Sequence, residues 1–259
     1  MKKSPIQPIP QWWQLPFAIA LTLHGKLLRH CQWCGQHYPY IGAVQHQPHA
    51  HQHWFNQLAF ICQKCHHSIH WQSQNFSLTL PNASTVQGVA SVAYQFPYQN
   101  AITGLKNSHN LTQLMPLVHA IRQLTPPIGC HANNSVIAPV PSTTKRLTER
   151  GFDPLYWLAC YLSFHWQIPL FWGVEREERQ HQQGLSREAR LDNVKNAFYL
   201  THDLSDLSQL RHIIVFDDVV TTGATLSAVI EAFYDVQFID KYQFHAVAVL
   251  HGRHVQDAK

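Results

Sequence analysis

The clearest pattern of apolar and polar positions lies near the carboxyl end of the chain. The apolar run at residues 212–216 has the length and β-branching of a strand that is covered on both faces. Downstream, apolar residues recur at helical spacing and predict a helix from about residue 225 to 235. These residues are Leu226, Val229, Ile230 and Phe233. Between strand and helix lies a polar segment that begins with two acids, at the point where the strand is expected to end.

The rest of the carboxyl-terminal two thirds alternates between helical and extended patterns. Apolar stripes predict helices around residues 114–124 and from Asp153-Pro154 to about residue 162, where the acid precedes a proline suited to a first helical position. Residues 136–140 and 244–250 read as buried strands. This order predicts an α/β fold, with a mostly parallel sheet flanked by helices.

The polar residues 72–90, bounded by Pro81-Asn82, are typical of a junction between two units. We therefore predict an amino-terminal helix and metal module in residues 1–85. Residues 86–259 would then form the larger α/β domain.

The segment after the predicted strand has the chemistry of a sugar-phosphate site. Asp217 and Asp218 offer oxygens to a ribose diol and its Mg²⁺, at a strand end where open α/β sheets bind ligands. The loop that follows supplies hydroxyls, backbone N–H groups and a glycine. It leads into the amino end of the predicted helix, and helix amino ends attract anions. The predicted 5′-phosphate residues are Thr221, Thr222, Gly223, Ala224 and Thr225. The alternative for the acids alone is an ordinary strand-to-helix turn.

Two C-x-x-C pairs predict a structural zinc site in the amino-terminal module. Cys31 and Cys34 form one pair, and Cys62 and Cys65 form the other. Two short turns that each deliver two thiolates suit one tetrahedral zinc ion. The alternatives are two unrelated turns or a redox dithiol. The histidine-rich stretch between the pairs is assigned no ligand role.

The second pair also satisfies C-x-x-C-H, the attachment sequence of c-type haem, because His66 follows Cys65. We favour zinc because haem would leave the first pair without a role. The two remaining cysteines, Cys130 and Cys160, are interpreted as a loop thiol and a helix core residue.

Two further polar segments are candidate parts of the same site. After the strand at 136–140, a group of hydroxyls and cations could hold pyrophosphate, or could form a solvated face. It comprises Ser142, Thr143, Lys145, Arg146 and Arg150. Residues 175–194 are long and charged, and could form a flap that brings Arg176 or Arg190 to the site, or an ordinary surface loop.

Composition indicates a globular protein of 259 residues, 45% of them hydrophobic. The net charge of +4 and the 20 histidines favour weak attraction to polyanions without deciding the partner. No stretch reaches the ~18 apolar residues of a membrane span, and the proline-rich start makes a poor signal peptide. We therefore expect a cytoplasmic protein in which cysteines bind metal more readily than they form disulfides.

Taken together, these motifs resemble the ComF/GntX family of bacterial competence-associated phosphoribosyltransferase-like proteins. The segment from Ile213 through the acid pair to Leu226 resembles the 5-phosphoribosyl-1-pyrophosphate (PRPP) signature of type I phosphoribosyltransferases. The Pro-Val-Pro and Arg-Gly-Phe segments, the Arg190, Asn193 and Phe198 stretch and the four cysteines extend the likeness from about residue 27 to 253. The sequence departs from the family where Asp153-Pro154 follows Arg-Gly-Phe.

The resemblance implies a type I phosphoribosyltransferase fold with a zinc ribbon, in a protein associated with natural competence, DNA uptake or DNA utilization. It implies PRPP as ligand, with Mg²⁺, and a pentosyl transfer whose acceptor the sequence does not identify. The alternative is a binding protein that keeps the PRPP pocket without catalysis. Its zinc module would then handle single-stranded DNA or a protein of the competence machinery, with aromatic residues near cations as the stacking surface.

Overall fold

The computed structural model describes residues 5–11, 14–15, 30–37, 61–69, 71, 74–177, 197–202, 204, 209–234 and 239–252. Within these residues the strands are β1 Ile6–Gln7, β2 Gln74–Thr79, β3 Thr85–Ala93, β4 Ser135–Pro139, β5 Leu170–Phe171, β6 Val174–Arg176, β7 Phe198–Leu200, β8 His212–Val220 and β9 Gln243–His251. The α-helices are α1 Gln63–His67, α2 Tyr98–Asn107, α3 Leu114–Ile121, α4 Thr144–Arg150, α5 Pro154–Trp166 and α6 Ala224–Glu231. Single 3₁₀ turns lie at Leu111–Gln113 and Ile239–Lys241.

The main sheet has seven strands in the order β1-β5-β4-β8-β9-β3-β2. The five central strands are parallel, and β1 and β2 add antiparallel edges. Strand β8 lies at the centre, where residues 213–216 are fully buried. The predicted fold class, a mostly parallel sheet flanked by helices, is confirmed.

The sheet has a topological switch point between β4 and β8. From β4 the chain passes through α5 to β5 on one side, whereas from β8 it passes through α6 to β9 on the other side. Right-handed crossovers in opposite directions place α5 and α6 on opposite faces of the sheet. The two connections diverge from the carboxyl ends of β4 and β8, and a divergence of this kind forms the crevice in which open α/β sheets bind ligands.

The helices near this crevice begin and end for local reasons. Helix α5 starts as predicted, because the Asp153 carboxylate accepts a hydrogen bond from the Leu155 N–H at 3.0 Å and Pro154 occupies the first turn. Helix α6 is shorter than predicted and ends at Glu231, although Phe233 beyond it is still fully buried.

Residues 72–90 were predicted to form a junction, but residues 74–93 contain two strands of the main sheet. Strands β2 and β3 form an antiparallel hairpin, and β3 pairs in parallel with β9. The polar turn with Pro81-Asn82 is the hairpin loop. The predicted division between residues 85 and 86 therefore falls at the start of β3, inside this hairpin.

Candidate functional site

The two acids lie within β8, one step beyond the end of β4. Pro139 is level with Phe216 in the β4–β8 ladder, so Asp217 and Asp218 are the first residues of β8 that β4 no longer flanks. The prediction that the strand ends at the acids was wrong, because β8 pairs with β9 as far as Val220. The sequence pattern missed these last residues because polar side chains at a sheet end interrupt the apolar run. The acids therefore line the crevice at the switch point.

The two carboxylates of the acid pair differ in their partners. Asp218 is buried, and both of its oxygens contact the Lys106 ammonium of α2, at 2.7 and 2.6 Å. The Asp218 N–H in turn donates to a carboxylate oxygen of Asp217 at 2.8 Å. Asp218 thus has a cationic partner within the chain, which the sequence analysis did not assign.

Asp217 has a different electrostatic environment. The pKa of Asp217 is raised to about 7, mainly by burial and secondly by the nearby Asp218 carboxylate. The charges of Lys106 and Arg176 partly oppose this increase. At neutral pH the carboxyl group is therefore poised between its neutral and charged forms. A cation or a hydroxyl donor that reached it would favour the charged form.

Two guanidinium groups interact electrostatically, and one of them, Arg176, also interacts with Asp217. Burial lowers the pKa of Arg176, the neighbouring charge of Arg146 lowers it further, and Asp217 acts in the opposite direction. Arg176 is half-buried in β6 and packs over the Phe198 ring at 5.3 Å. Two close cations, one of them partly desolvated, favour binding of an anion between them.

The segment predicted to hold the 5′-phosphate follows β8 without interruption. Thr221 and Thr222 form the turn, Gly223 precedes α6, and Ala224 and Thr225 begin the helix. Gly223 has φ of 76°, a left-handed conformation that favours glycine, and a Cβ there would overlap the Leu78 side chain. The Thr222 hydroxyl accepts a long hydrogen bond from the Ala224 N–H at 3.4 Å. The turn thus packs tightly on β2 and presents the amino end of α6.

The predicted pyrophosphate loop is only partly a loop. Ser142 and Thr143 lie in it, and Thr143 caps α4 by accepting from the Arg146 N–H at 3.3 Å. Lys145, Arg146 and Arg150 belong to α4, an exposed helix in which Lys145 lies 3.9 Å from Glu149. Only Arg146 among these cations is coupled electrostatically to Arg176.

Asp153, the departure from the family pattern, also contributes to this crevice. The Ser142 hydroxyl donates to its carboxylate at 3.2 Å, and the Asp218 charge contributes to raising the pKa of Asp153, mainly an effect of burial. Asp153 therefore makes polar contacts both to the segment after β4 and to the start of α5.

The predicted flap is described only at its base. Strands β6 and β7 pair antiparallel, with Arg176 opposite Phe198, and the Glu177 N–H donates to the Ala197 carbonyl at 2.8 Å. This ladder fixes Arg176 close to Asp217. Arg190, the other predicted flap residue, lies outside the described residues.

The four cysteines of the two pairs converge as predicted. Their sulfurs all lie within 4.8 Å of one another, and the Cys34 and Cys62 sulfurs are 3.8 Å apart. Two sulfurs that bind one tetrahedral zinc ion at ~2.3 Å are about 3.8 Å from each other, so the cluster can hold a metal ion of this kind. Backbone N–H groups of Cys62 and Trp33 donate to Cys31 Sγ at 3.2 and 3.4 Å. His66, the histidine of the C-x-x-C-H motif, turns away to His119 at 3.0 Å.

The pKa values of the cysteines also indicate that the cluster requires a bound cation. Burial raises the pKa values of Cys31 and Cys65, whereas a backbone hydrogen bond at Gln36 lowers the pKa of the exposed Cys34. Four adjacent thiolates need a cation to stabilise them together, and the donor set suits a soft or borderline ion.

A cavity of about 420 Å³ lies between the cysteine cluster and the sheet. Cys34 and Cys65 line one side, and Trp33, Phe96 and Tyr98 provide aromatic walls. Phe96 is 77% exposed, so an aromatic ring faces solvent beside the cysteine cluster.

None of the described helices combines the length and the apolar character that a membrane span requires.

Comparison with known proteins identifies relatives that share a segment of the chain. Competence protein F of Haemophilus influenzae is 34% identical over 95 residues, which are 36% of this chain and 41% of that protein. The DNA utilization proteins YhgH of Salmonella typhi and Salmonella typhimurium are each 35% identical over 101 residues, 36% of this chain and 40% of theirs. The resemblance to competence-associated proteins is confirmed by these relatives, although the chain spans only about two fifths of their length.

No family model matches the chain. Among solved structures, orotate phosphoribosyltransferase from Aeropyrum pernix is 12% identical, with a TM-score of 0.31 over 69% of this chain and 75% of that one. A TM-score this low carries no weight for fold or function.

Proposed function

We propose that this relative of competence protein F and of the YhgH DNA utilization proteins binds PRPP with Mg²⁺ in the crevice between β4 and β8, as part of a pathway that uses DNA. The observation that carries the proposal is the arrangement at the switch point. An acid pair, the Gly223 turn and three cations of separate elements, Lys106, Arg146 and Arg176, lie around one strand end.

Each part of PRPP has complementary groups in this arrangement. The ribose hydroxyls would donate to Asp217 and Asp218, while the 5′-phosphate would accept from the turn at residues 221–225 and from the amino end of α6. The pyrophosphate would lie towards Arg146 and Arg176. Lys106, which now contacts Asp218, could remain with that carboxylate or turn to a phosphoryl oxygen.

The metal requirement follows from the charges of such a complex. Mg²⁺ binds carboxylate and phosphate oxygens and, when present, neutralises part of the pyrophosphate charge. Asp217 must lose its proton to share a cation, so metal-assisted binding is linked to proton release near neutral pH.

If the protein is a transferase, the bond between ribose C1 and pyrophosphate breaks, and the electron pair leaves with pyrophosphate. An acceptor nucleophile then forms the new bond to C1. The described cations would stabilise the departing charge. A panel of nucleobases with Mg²⁺–PRPP, assayed for pyrophosphate release, tests this activity. Release with one base and not with the others supports transfer, whereas binding without release leaves a PRPP-binding protein.

The proposed zinc ion would be held by Cys31, Cys34, Cys62 and Cys65 as a structural ion. All four ligands come from protein and leave no position for substrate, which is typical of structural zinc. This ion would fix the cysteine pairs beside the sheet and would have no part in the transfer.

A second candidate function is favoured by the aromatic cavity beside the cysteine cluster. The exposed Phe96 and the half-buried Trp33, which line the same cavity, offer a surface on which a base of single-stranded DNA could stack. Oligonucleotide binding that weakens with salt, and weakens further in Phe96→Ala but not in Ile128→Ala, would support it. Ile128 is a suitable control because it is 98% exposed and does not line the cavity. Equal affinity of both variants would exclude this surface.

A further inference from the structure

Three potential metal ligands gather at the opposite end of the sheet from the acid pair. Cys130, His212 and His245 each offer one ligand atom, and the three atoms lie within 4.8 Å of one another. Cys130 belongs to the loop before β4, His212 begins β8, and His245 lies near the start of β9. The sequence alone predicts only a loop thiol at Cys130.

The β8–β9 register explains why the two histidines meet. His212 pairs with Gln243 and Ile214 pairs with His245, so the histidines are diagonal neighbours on one face of adjacent strands. His212 Nδ1 lies 3.2 Å from His245 Nε2. Two nitrogens that bind one tetrahedral zinc ion at ~2.0–2.1 Å are about 3.3 Å apart, so the observed separation suits a shared metal.

The loop that carries Cys130 is held against the strands by several hydrogen bonds. The Asn134 carbonyl accepts from the N–H groups of Arg211 and His212, at 2.8 and 3.0 Å. The Asn134 side-chain amide donates to the Gly129 carbonyl at 2.9 Å, and its oxygen accepts from the His131 N–H at 2.9 Å. These hydrogen bonds hold the loop that carries Cys130 beside the two histidines without a bound ion.

The glycine before the cysteine supplies a backbone conformation that other residues rarely adopt. Gly129 has φ of 84°, in the left-handed region, whereas a Cβ at this position would make only an ordinary contact with His212 Nε2, at 3.6 Å. The left-handed conformation turns the chain so that the next residue faces the strands. Imidazole and thiolate together are typical ligands of zinc and of the later divalent transition metals.

We propose that Cys130, His212 and His245 form a second metal site, which binds Zn²⁺ or Co²⁺ with one thiolate and two imidazoles. Three protein ligands leave the fourth tetrahedral position to water or another small ligand. The ion joins the loop before β4 to β8 and β9, at the sheet end remote from Asp217. This site is independent of the four-cysteine cluster and of PRPP.

Cobalt titration of the full chain tests the site, because Co²⁺ bound to thiolate gives a charge-transfer absorption as well as visible bands. Protein that carries a single equivalent of zinc, which the four-cysteine cluster should take first, should bind one equivalent of Co²⁺ with both features. Cys130→Ser should lose the charge-transfer band, and His245→Gln should lose the additional equivalent. Cys160→Ala and His109→Asn, which alter a cysteine and a histidine outside the cluster, should behave as the parent. Equal cobalt uptake with equal spectra by the parent and both folded site variants would overturn the proposal.

Alkylation of the parent protein tests the site without any substitution that could cause misfolding. Iodoacetamide should modify Cys130, which is only partly buried, and added Zn²⁺ should slow this reaction at least tenfold. Peptide mapping assigns the rate to Cys130 and separates it from the other five cysteines. An unchanged rate at saturating Zn²⁺ would show that Cys130 is not a metal ligand and would overturn the proposal.

Discussion

Among the individual residues, Lys106 has the largest effect on how the acid pair must be understood. It reaches Asp218 across 112 positions of sequence, so no local pattern could have predicted the contact. Its side chain is 27% exposed, whereas that of Asp218 is 9% exposed. The pair is therefore intermediate between a surface ion pair, which contributes little, and a buried one, whose disruption is costly.

We predict that Lys106→Met destabilises the protein by roughly 1–3 kcal/mol, because Asp218 would remain buried without its cation. The double variant Lys106→Met with Asp218→Asn should recover part of that loss, since no unpaired charge remains. Urea unfolding of the parent, both single variants and the double variant measures the coupling. Lys145→Met is the matched control and should change stability little, because Lys145 and Glu149 are 3.9 Å apart and both exposed. Additive effects of the two changes would show that the contact contributes nothing.

Asp217 predicts a pH dependence with a definite sign. Its pKa is raised to about 7 in the folded protein from 3.8, so the native state holds this proton more tightly than the unfolded state. Its contribution to stability is therefore largest below about pH 4 and falls as pH rises to about 7. The difference in unfolding free energy between the parent and Asp217→Asn should decline over this range and then level off. A difference that stays constant with pH would mean that the carboxyl group has an ordinary pKa.

Among the elements, the turn between β8 and α6 depends on Gly223. Gly223→Ala should lose about 1–2 kcal/mol from the left-handed conformation, and more from the overlap with buried Leu78. Gly151→Ala is a matched control, because Gly151 has φ of 70° but nothing within 4 Å of a Cβ. Thermal unfolding should therefore show a clearly larger loss for Gly223→Ala. Equal losses would mean that Leu78 moves aside without cost.

The two cysteine turns act as one element once a metal ion joins them. We predict that Cys34→Ser or Cys65→Ser removes one equivalent of tightly bound zinc and unfolds this part of the chain, because structural zinc contributes much of such a module's folding free energy. Metal analysis and limited proteolysis measure both effects, and Cys160→Ala should retain its zinc. Zinc retained by both serine variants would rule out the four-cysteine site.

At the scale of the whole molecule, sequence periodicity was sufficient for the sheet centre and its helices. Local patterns predicted strand β8, helix α5 and the converging cysteines. Burial, capping and metal-ligand spacing depend on residues that are close in sequence. The hairpin of β2 and β3 could not be predicted in this way, because the edge strand β2 needs few apolar residues and the polar hairpin loop resembles a linker. The partners of the acids also could not be predicted, because they come from α2 and β6 through tertiary packing.

Features of the strand order, of single strands and of individual residues meet at the switch point between β4 and β8. Strand order places the crevice beside β8, the continued strand places Asp217 and Asp218 in it, and separate elements supply the surrounding cations. Each feature has an ordinary structural explanation alone. Their meeting at one strand end supports a site for a phosphorylated ribose.

Calorimetry of Mg²⁺–PRPP with the parent and with Asp217→Asn, Asp218→Asn tests the central proposal most directly. We expect the parent to bind, and the double variant to bind about a hundredfold more weakly or worse, since each lost hydrogen bond to a charged acceptor contributes roughly 1.5–3 kcal/mol. Lys241→Met, in the 3₁₀ turn that precedes β9 at the opposite end of the sheet, should bind as the parent does. Circular dichroism must show that the double variant is folded. Absence of PRPP binding by the parent, or equal affinity of a folded double variant, would contradict the assignment of the acids to the ribose.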